Sequence, residues 1–440
     1  MFLTQNNITA TGENMFDFDE VPLPTLGLTG LDGAMSEEEL AIQDVTNRFA
    51  AEVMRPIAEK LDKMDADAVV AEGSPLWDYI EQIDQSGLLD LEAIGGMSDA
   101  EKARIIPIIF EELAWGDSGL ALTSMVLKFP AFAAYNTGNS ELIERFGKLR
   151  GCWVATQPDR GSEVVDMDGS ELHPGTQQNK GNLMARVDGD ELVINGQSAS
   201  WVSATPIAEC ALLYCQCDYD GNGTYKEDGS HHYVAALVPF DLPGVSKGKP
   251  LDKMGMRALC QGEVFFDEVR IPMSYVIAGK DKAFPSFFGA LTFGNMEMGI
   301  SFTGVARAAY EHALAYVHER KQGGTELINH QSVQARLFKM FQKLEACRAM
   351  ALRVFSYNYG PNGAHLLASA TSKTFVTDAC VEITSEAIQL LGGNGLTKEY
   401  PVEKLFRDAR TAQIADGENN VLGLKAATWI SREYKNKHGL

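Results

Sequence analysis

The 440-residue sequence lacks several features by which enzymes and membrane proteins are commonly recognised. It has no run of about 18 apolar residues, so no segment is expected to span a bilayer. It has no GxGxxG after a strand, no Walker A sequence, no HExxH and no GxSxG, so no Rossmann dinucleotide turn or zinc-protease site is expected. Basic residues are scarce: 38 Lys and Arg stand against 60 Asp and Glu, a formal net charge of −22. That charge repels nucleic acid and anionic membranes, and neither is an expected partner.

Cysteine is also sparse and irregularly spaced. The seven cysteines show no CxxC pair, so neither a disulfide framework nor a zinc site is expected, and no metal is assigned. The first residues lack the basic and apolar regions of a signal peptide. The sequence therefore predicts a reducing, cytoplasmic compartment.

The apolar pattern divides the chain into four parts and predicts a multidomain α+β fold. Residues 1–34 are polar and aperiodic and are interpreted as an N-terminal extension. Residues 35–150 show helical spacing, beginning with a capping box at Ser36–Glu39, and predict an all-α domain. Residues 151–282 contain short alternating runs separated by turns, which predict a β-barrel-like domain. Residues 283–440 contain long helical segments with Gly-containing connections and predict a four-helix bundle.

Two candidate binding segments lie in the predicted β-domain. Thr156–Glu163 is a Pro- and Gly-containing turn after an apolar strand, and its N–H groups and hydroxyls suit the polar edge of a planar ring or a phosphate. Trp201 stands close to Ser203, and such a pair could stack on and hydrogen-bond to a heteroaromatic cofactor. An ordinary turn and a packed tryptophan would account for the same residues.

Three further segments lie in the predicted bundle. Arg320–Gly324 places cations and an amide at a helix–helix connection, which suits a phosphate but also ordinary helix C-capping. Gln389–Gly395 is a Gly-rich connection. Asp416 lies in a Gly-containing loop before a helix, where a desolvated carboxylate could act as a general base. An exposed Asp416 could instead cap the helix that begins near Asn420.

Taken in this order, the segments resemble the acyl-CoA dehydrogenase superfamily of flavoproteins from about Ser36 to Lys435. Five stretches are similar to the family's T-E-P-x-x-G-S-D, K-x-G-x-R…F-x-D-V-x-V-P, E-R-x-Q-F-G, Q-x-x-G-G-x-G and E-Y-P-V-E-R…R-D-A-R motifs: Thr156–Glu163, Lys253–Pro272, Glu319–Gly324, Gln389–Gly395 and Tyr400–Arg410. The resemblance implies an α-domain, a β-barrel-like domain and a four-helix bundle, assembled as a homotetramer or homodimer.

The resemblance also implies FAD between the β-domain and the bundle. The residues implied to contact its isoalloxazine or phosphates are Thr156, Ser162, Trp201 and Ser203. Those implied to serve its ADP portion from a neighbouring subunit are Arg320, Gln322, Gln389, Gly392 and Gly393. Substrate contacts are implied at Ser162, Gly294, Asn295, Ala415 and Gly417.

The reaction implied by the resemblance is dehydrogenation of an acyl-CoA or acyl-carrier thioester. A carboxylate removes the α-proton, a β-hydride passes to flavin N5, and an electron-transfer flavoprotein accepts the electrons from the enzyme. The family's usual Glu base corresponds to Asp416, whose side chain is shorter by one bond of roughly 1.5 Å. A second family position for the base corresponds to Gly294, which cannot act, and Glu297 lies one helical turn away.

Several residues depart from the family pattern. Thr292–Asn295 lacks the usual Asp and Arg, Ala415 replaces a Tyr, and an insertion from about Val165 to Lys180 follows the first turn. An Asp base followed by Gly also resembles nitroalkane oxidase, although the Ser and Arg that accompany that base correspond to Gly294 and Gly423. The alternatives are therefore a nitroalkane oxidase-like flavin oxidase, or a flavoprotein that acts on a CoA ester without net dehydrogenation.

Overall fold

A computed structural model describes residues 26–27, 30–31, 33, 35–166, 180–227 and 229–440. Most of the predicted N-terminal extension, and most of the insertion after the first turn, lie outside the described residues. The chain separates into two units, Met1–Ser36 and Glu37–Leu440. In the first unit, strands β1 (Leu26–Gly27) and β2 (Gly30–Leu31) pair antiparallel.

Helices fill the second unit as far as Phe146, as the spacing predicted. They are α1 (Glu37–Phe49), a π-helical stretch (Ala50–Met54), α2 (Arg55–Asp62), α3 (Ala66–Val70), α4 (Pro75–Ser86), α5 (Leu91–Gly96), α6 (Asp99–Gly116), α7 (Ser118–Leu127), α8 (Phe129–Thr137) and α9 (Ser140–Phe146). A capping box starts α6, because the Ser98 side chain accepts the Glu101 N–H while the Glu101 carboxylate accepts the Ser98 N–H. The apolar stretch over 120–135, whose spacing alone is that of one helix, is two helices, which divide just before Pro130.

Two of the four large apolar residues of α1 lie outside its buried face, although Ile42 and Phe49 pack partly buried on the main core. Leu40 is 48% and Val45 49% exposed, whereas Glu39 and Thr46 are buried. The Glu39 carboxylate accepts a 2.7 Å hydrogen bond from Nη2 of Arg104 on α6. A paired charge therefore occupies a position that apolar spacing alone would leave to solvent.

The middle of the chain folds into a largely antiparallel sheet. Its strands are β3 (Gly151–Val154), β4 (Met184–Asp188), β5 (Glu191–Gln197), β7 (Cys210–Asp218), β8 (Tyr233–Pro239), β9 (Val245–Lys247), β11 (Val264–Pro272) and β12 (Val276–Gly279), and β6 (Val202–Ser203) pairs separately with β10 (Gln261–Gly262). The order across the sheet is β12-β8-β7-β4-β5-β11-β9. Strand β7 pairs in parallel with β3 along its first half and with β4 along its second.

Strands β7 and β8 are buried on both faces, which explains their continuous apolar sequences. One face, which includes Leu213 of β7 and Ala236 of β8, packs inside the β-domain. The other face, including Leu212 and Tyr214, packs against Phe287 of the next long helix. This contact places the start of that helix directly on the sheet.

Long helices make up the rest of the chain. They are α10 (Ala283–Glu319), α11 (Gln331–Asn358), α12 (Leu366–Leu391), α13 (Val402–Ala412) and α14 (Asn419–His438), with a small hairpin of β13 (Lys321–Gln322) and β14 (Thr325–Glu326) after α10. The sequence pattern predicted all of these helices except α13. No helix in the described part of the chain has the length and apolar character needed to cross a membrane.

Helix α10 is fixed against the N-terminal helices by close backbone contact and buried charge. A Cβ added at Gly304 would lie 2.1 Å from the Glu111 carbonyl oxygen of α6, so only glycine permits this approach. Arg307 donates to Glu112 at 2.8 Å, and Arg348 of α11 donates to Glu111 at 2.9 Å. One hydrophobic core therefore runs from the N-terminal helices into the C-terminal ones.

Candidate active site

The loop between α13 and α14 carries Asp416 in an uncommon backbone conformation. Its φ is +54°, in the left-handed region that Asp and Asn tolerate better than most residues. Two helices hold the loop by its carbonyl oxygens. Asn295 Nδ2 of α10 donates to the Asp416 carbonyl at 2.9 Å, and Lys373 Nζ of α12 donates to the Gly417 carbonyl at 2.7 Å. The Asp416 carboxylate takes part in neither bond.

The surroundings of the Asp416 carboxyl group favour its neutral form. Burial raises its pKa above the ordinary value, and the Lys373 cation partly opposes that rise. The same pairing acts on Lys373, whose pKa is lowered by burial to about 8 although Asp416 favours its charged form. A carboxylate with a raised pKa is suited to accept a proton near neutrality.

Asp416 does not cap helix α14, so the capping alternative is wrong. The cap is Glu418, whose Oε2 accepts the N–H groups of Asn420 at 3.0 Å and Val421 at 3.2 Å. The Glu418 N–H in turn donates to Oγ of Ser162 at 3.1 Å. This bond joins the Asp416 loop to the turn of the β-domain.

The predicted substrate residues of α10 lie beside the same loop. A Cβ added at Gly294 would lie 3.6 Å from Oδ2 of Asp416, so this position faces the carboxylate directly. Asn295 is buried and donates to the loop, while its own Oδ1 has no hydrogen-bond partner among the described residues. Ala415 packs partly buried on the main core. The structure therefore brings Gly294, Asn295, Ala415, Gly417 and Ser162 together around Asp416.

The predicted flavin residues of the β-domain are held by hydrogen bonds to neighbouring segments of that domain. The Thr156 carbonyl accepts the N–H of Ala199 at 2.9 Å. Gln261 Nε2 donates to the Trp201 carbonyl at 2.9 Å and to Oγ of Ser203 at 3.1 Å. Trp201 is 63% exposed, so it is not the packed core tryptophan of the alternative interpretation. Its ring is available to contact a ligand.

The first turn offers fewer free backbone donors than its sequence suggested. The N–H groups of Gln157 and Arg160 bond across the turn to each other's carbonyl oxygens at 2.8 and 3.0 Å. The Gly161 N–H donates to Oε2 of Glu163 at 2.8 Å. The Ser162 hydroxyl accepts the loop N–H and still carries a hydrogen that it can donate. Side-chain hydroxyls are therefore more important here than backbone N–H groups.

The predicted ADP residues lie at the far end of α10, away from Asp416 along the helix. Arg320, Gln322, Gln389, Gly392 and Gly393 are all exposed. Asn394 Nδ2 donates to the Tyr316 hydroxyl at 3.0 Å, which joins the Gly-rich connection to the last turn of α10. Cβ atoms added at Gly392 and Gly393 would meet no atom of the described chain within 4 Å, so this surface is open.

Two charged residues near Asp416 were not assigned to the site from the sequence. Lys373 is buried in α12 and donates to the loop. Glu297 is buried in α10, and neither of its carboxylate oxygens has a partner within the described ranges. A usable signal exists for Glu297, which is the sole charged residue between Thr292 and Ala306. Burying a lone charge in an apolar helix is costly and indicates a function or a partner.

Comparisons with known proteins agree with this architecture. Residues 152–269 match the family model for the acyl-CoA dehydrogenase middle domain, and residues 284–430 match that for the acyl-CoA dehydrogenase C-terminal domain. The cyclohexane-1-carbonyl-CoA dehydrogenase of Geobacter metallireducens is 27% identical over 410 residues, covering 90% of this chain and 98% of that protein.

Solved structures show the same fold. The butyryl-CoA dehydrogenase of Megasphaera elsdenii superposes with a TM-score of 0.76 at 23% identity, covering 91% of this chain and 100% of that one. A glutaryl-CoA dehydrogenase of Mycobacterium smegmatis in complex with FADH2 superposes with a TM-score of 0.74 at 21% identity, covering 90% of this chain and 95% of that one.

These matches define the class of protein as an oxidoreductase with an acyl-CoA dehydrogenase fold. The chain belongs to the acyl-CoA dehydrogenase superfamily. The predicted fold, family and enzyme class are thereby confirmed. The roles of the individual site residues, and the domain boundaries at 35, 151 and 283, stay predictions.

Proposed function

We propose that this chain is an FAD-dependent acyl-CoA dehydrogenase in which Asp416 removes the α-proton of an acyl thioester. One observation carries the proposal. The Asp416 carboxyl group is carried by a half-buried loop that α10 and α12 hold, burial raises its pKa, and the Glu418 N–H joins that loop to the Ser162 turn of the β-domain. The proposed base and a hydroxyl of the predicted flavin-binding turn would then lie at one site.

Residues around the base support proton removal in two ways. Burial raises the pKa of the Asp416 carboxyl group, which strengthens it as a base relative to an exposed aspartate. Lys373 stabilises the ionised form, so that a useful fraction remains deprotonated. The Asn295 and Lys373 bonds fix the loop by its carbonyl oxygens and leave the carboxylate available to substrate.

The residues present fit FAD as the cofactor. Trp201 offers an exposed ring on the β-domain, Ser162 offers a hydroxyl beside the base loop, and Gly392–Gly393 offers open backbone at the end of the bundle near Arg320. FAD, when bound, supplies an acceptor for the β-hydride, which completes a 2,3-enoyl thioester. The exposed ADP residues support a cofactor shared between subunits of a homotetramer or homodimer.

The proposal also covers the electron acceptor, the substrate carrier and the location of the protein. An electron-transfer flavoprotein is the proposed electron acceptor, and the proposed substrate carrier is CoA or an acyl-carrier protein. A cytoplasmic location is supported by the cysteines, since all seven are free and buried.

The test begins with the cofactor released from purified protein, which should be FAD. Straight-chain and branched acyl-CoA thioesters are then added without oxygen, and flavin absorbance and the formation of 2,3-enoyl-CoA are measured. The proposal expects bleaching of the flavin with one enoyl product per flavin. An Asp241→Asn variant is a matched control, because that exposed aspartate pairs with Arg145 on the surface. A flavin that no thioester bleaches would reject the proposal.

A nitroalkane oxidase-like activity is a second candidate, favoured by the short side chain of Asp416 and its fixed left-handed backbone. A short carboxylate suits a small substrate whose acidic carbon can come close to the base. Against it, the chain has Gly294 and Gly423 where the nitroalkane oxidase pattern has Ser and Arg. Rapid peroxide formation from nitroethane, with no bleaching by acyl-CoA, would favour this candidate.

A further inference from the structure

Glu297 is one of three buried polar residues between Asn295 and Ser301 of α10 that carry side-chain atoms without a partner in the described part of the chain. Its side chain is 0% exposed, and neither Oε1 nor Oε2 has a hydrogen-bond partner among the described residues. Asn295 Oδ1 and Ser301 Oγ on the same helix are also buried without partners there. Buried polar groups normally find hydrogen-bond partners, so three unsatisfied groups in one helix indicate a partner that is not part of the chain.

Helix geometry directs Glu297 towards Asp416. Residues three and four apart share one face of a helix, which places Gly294, Glu297 and Ser301 in line along α10. Gly294 faces the Asp416 carboxylate, since an added Cβ would lie 3.6 Å from Oδ2. Side chains on a helix lean back towards its N-terminus, so Glu297 extends over the space that Gly294 leaves open.

Electrostatic effects agree with that placement. The negative charge of Asp416 adds to burial in raising the pKa of the Glu297 carboxyl group well above its ordinary value. Glu297 in turn acts on Tyr359, at the end of α11, and helps to raise its pKa. Glu297 therefore lies close enough to both Asp416 and Tyr359 to act on them electrostatically.

We propose that Glu297 binds a hydrogen-bond donor, a hydroxyl or an ammonium group, carried on the acyl chain of the substrate. The inference rests on the proposed function and specifies its substrate class. The spacing supports a group some way along the acyl chain: Glu297 is three residues beyond Gly294, a rise of about 4.5 Å along the helix, which is the length of roughly three carbon–carbon bonds. The donor would thus stand several carbons beyond the one that loses its proton.

The alternative structural roles of Glu297 make different predictions. A group that only tunes the pKa of Asp416 would change activity equally for every substrate. A group that takes the proton itself would be required for every substrate. A binding group changes the preference between polar and apolar acyl chains and leaves the chemistry in place.

The experiment compares ω-hydroxyacyl-CoA, ω-aminoacyl-CoA and matched alkyl acyl-CoA thioesters of increasing length as reductants of the bound flavin. We expect wild-type protein to prefer an acyl chain with a polar end. Comparison of the ω-hydroxyacyl and ω-aminoacyl thioesters shows whether the preferred donor is a hydroxyl or an ammonium group. Glu297→Met, which has similar volume and no charge, should shift the ratio of kcat/KM towards alkyl chains by at least roughly tenfold. Glu297→Gln, which keeps the shape and polarity, should give a smaller shift.

The matched control is Thr303→Val, a near-isosteric change at another buried polar residue of α10, whose hydroxyl donates to the Gly299 carbonyl. It should leave the ratio unchanged. Calorimetric binding of ω-hydroxy and plain 2-enoyl-CoA products adds a readout that does not depend on turnover. If no thioester reduced the flavin but wild-type protein still bound the ω-hydroxy product more tightly than the plain product, the proposed dehydrogenation would be rejected and the Glu297 assignment would stand.

Three results overturn the inference. The first is an equal change in kcat/KM for polar and alkyl thioesters in both Glu297 variants. The second is loss of flavin reduction with every thioester in Glu297→Gln, which would assign Glu297 to proton removal. The third is equal binding of the polar and plain products to wild-type protein.

Discussion

Replacing Asp416 by asparagine removes the proposed base with little disturbance of the loop that carries it. Asparagine is isosteric with aspartate and tolerates the left-handed φ of +54°. The loop is held through the carbonyl oxygens of Asp416 and Gly417, which the change leaves intact. The variant should therefore fold, retain its flavin and unfold within about 1 kcal/mol of wild type.

The expected effect on catalysis is large. A positioned general base contributes about 10²–10⁴ in rate. At about 1.4 kcal/mol per tenfold, Asp416→Asn should raise the activation free energy by roughly 3–5 kcal/mol. The assay is stopped-flow measurement of flavin reduction by an acyl-CoA without oxygen, across a range of pH.

The pH profile gives a second readout of the same residue. Only the deprotonated carboxylate can accept a proton, so wild-type kcat/KM should rise with pH through the raised pKa of Asp416. This rise should disappear in Asp416→Asn. A general base contributes at least about 10² in rate. If Asp416→Asn reduced its flavin within about threefold of the wild-type rate, Asp416 would not be the base. If Glu297→Gln then abolished reduction, the base would be Glu297.

Other changes test the surroundings of the base. Lys373→Met removes the cation that opposes the effect of burial on the pKa of Asp416, so the acid limb of the kcat/KM profile should move to higher pH. The change also leaves the Gly417 carbonyl and Oδ1 of Asn419 without their Lys373 donor, which should lower the free energy of unfolding by about 1–3 kcal/mol in urea titration. An unmoved limb would show that the two charges do not interact. Gly294→Glu in an Asp416→Ala background should restore part of the flavin reduction, because the new side chain starts 3.6 Å from the position of the lost carboxylate oxygen. If a folded, flavin-loaded double variant showed no recovery, the Gly294 face of α10 would not be the substrate side. Glu418→Ala removes the side chain that caps α14 and should cost about 1 kcal/mol of stability in urea titration. Flavin reduction should change little, because the backbone N–H that donates to Ser162 remains. Trp201→Ala should weaken flavin retention on gel filtration while far-ultraviolet circular dichroism stays unchanged, and full retention would remove Trp201 from the cofactor site.

Much of the regular structure could be predicted from sequence, because apolar spacing and turn residues act locally. The apolar residues of β8 (Tyr233–Pro239), for example, form a short run of the kind from which the β-domain is predicted, and α9 (Ser140–Phe146) lies within the region of helical spacing. Helix α13 was missed because its short sequence is rich in charged residues that pair with distant partners, such as Arg407 with Asp62 at 2.7 Å. The buried face of α1 was equally unpredictable, since it depends on the Glu39–Arg104 pair between helices far apart in sequence.

The site could be predicted in part. Motifs in the sequence indicated Asp416, Gly294 and Asn295, and these residues lie together in the structure. The left-handed conformation of Asp416 and its interaction with Lys373 depend on tertiary packing, which no local pattern reports. Glu418 illustrates the same limit, because the choice of capping residue depends on the geometry of the loop before α14.

The most direct test of the proposed reaction is the rate of flavin reduction by an acyl-CoA deuterated at its α-carbon. If Asp416 breaks the α-carbon–hydrogen bond before the flavin accepts a hydride, deuteration should slow anaerobic reduction by a primary isotope effect. The effect should be present in wild-type protein at every pH of the profile. Equal rates with protiated and deuterated thioesters, together with undiminished reduction in Asp416→Asn, would contradict the account.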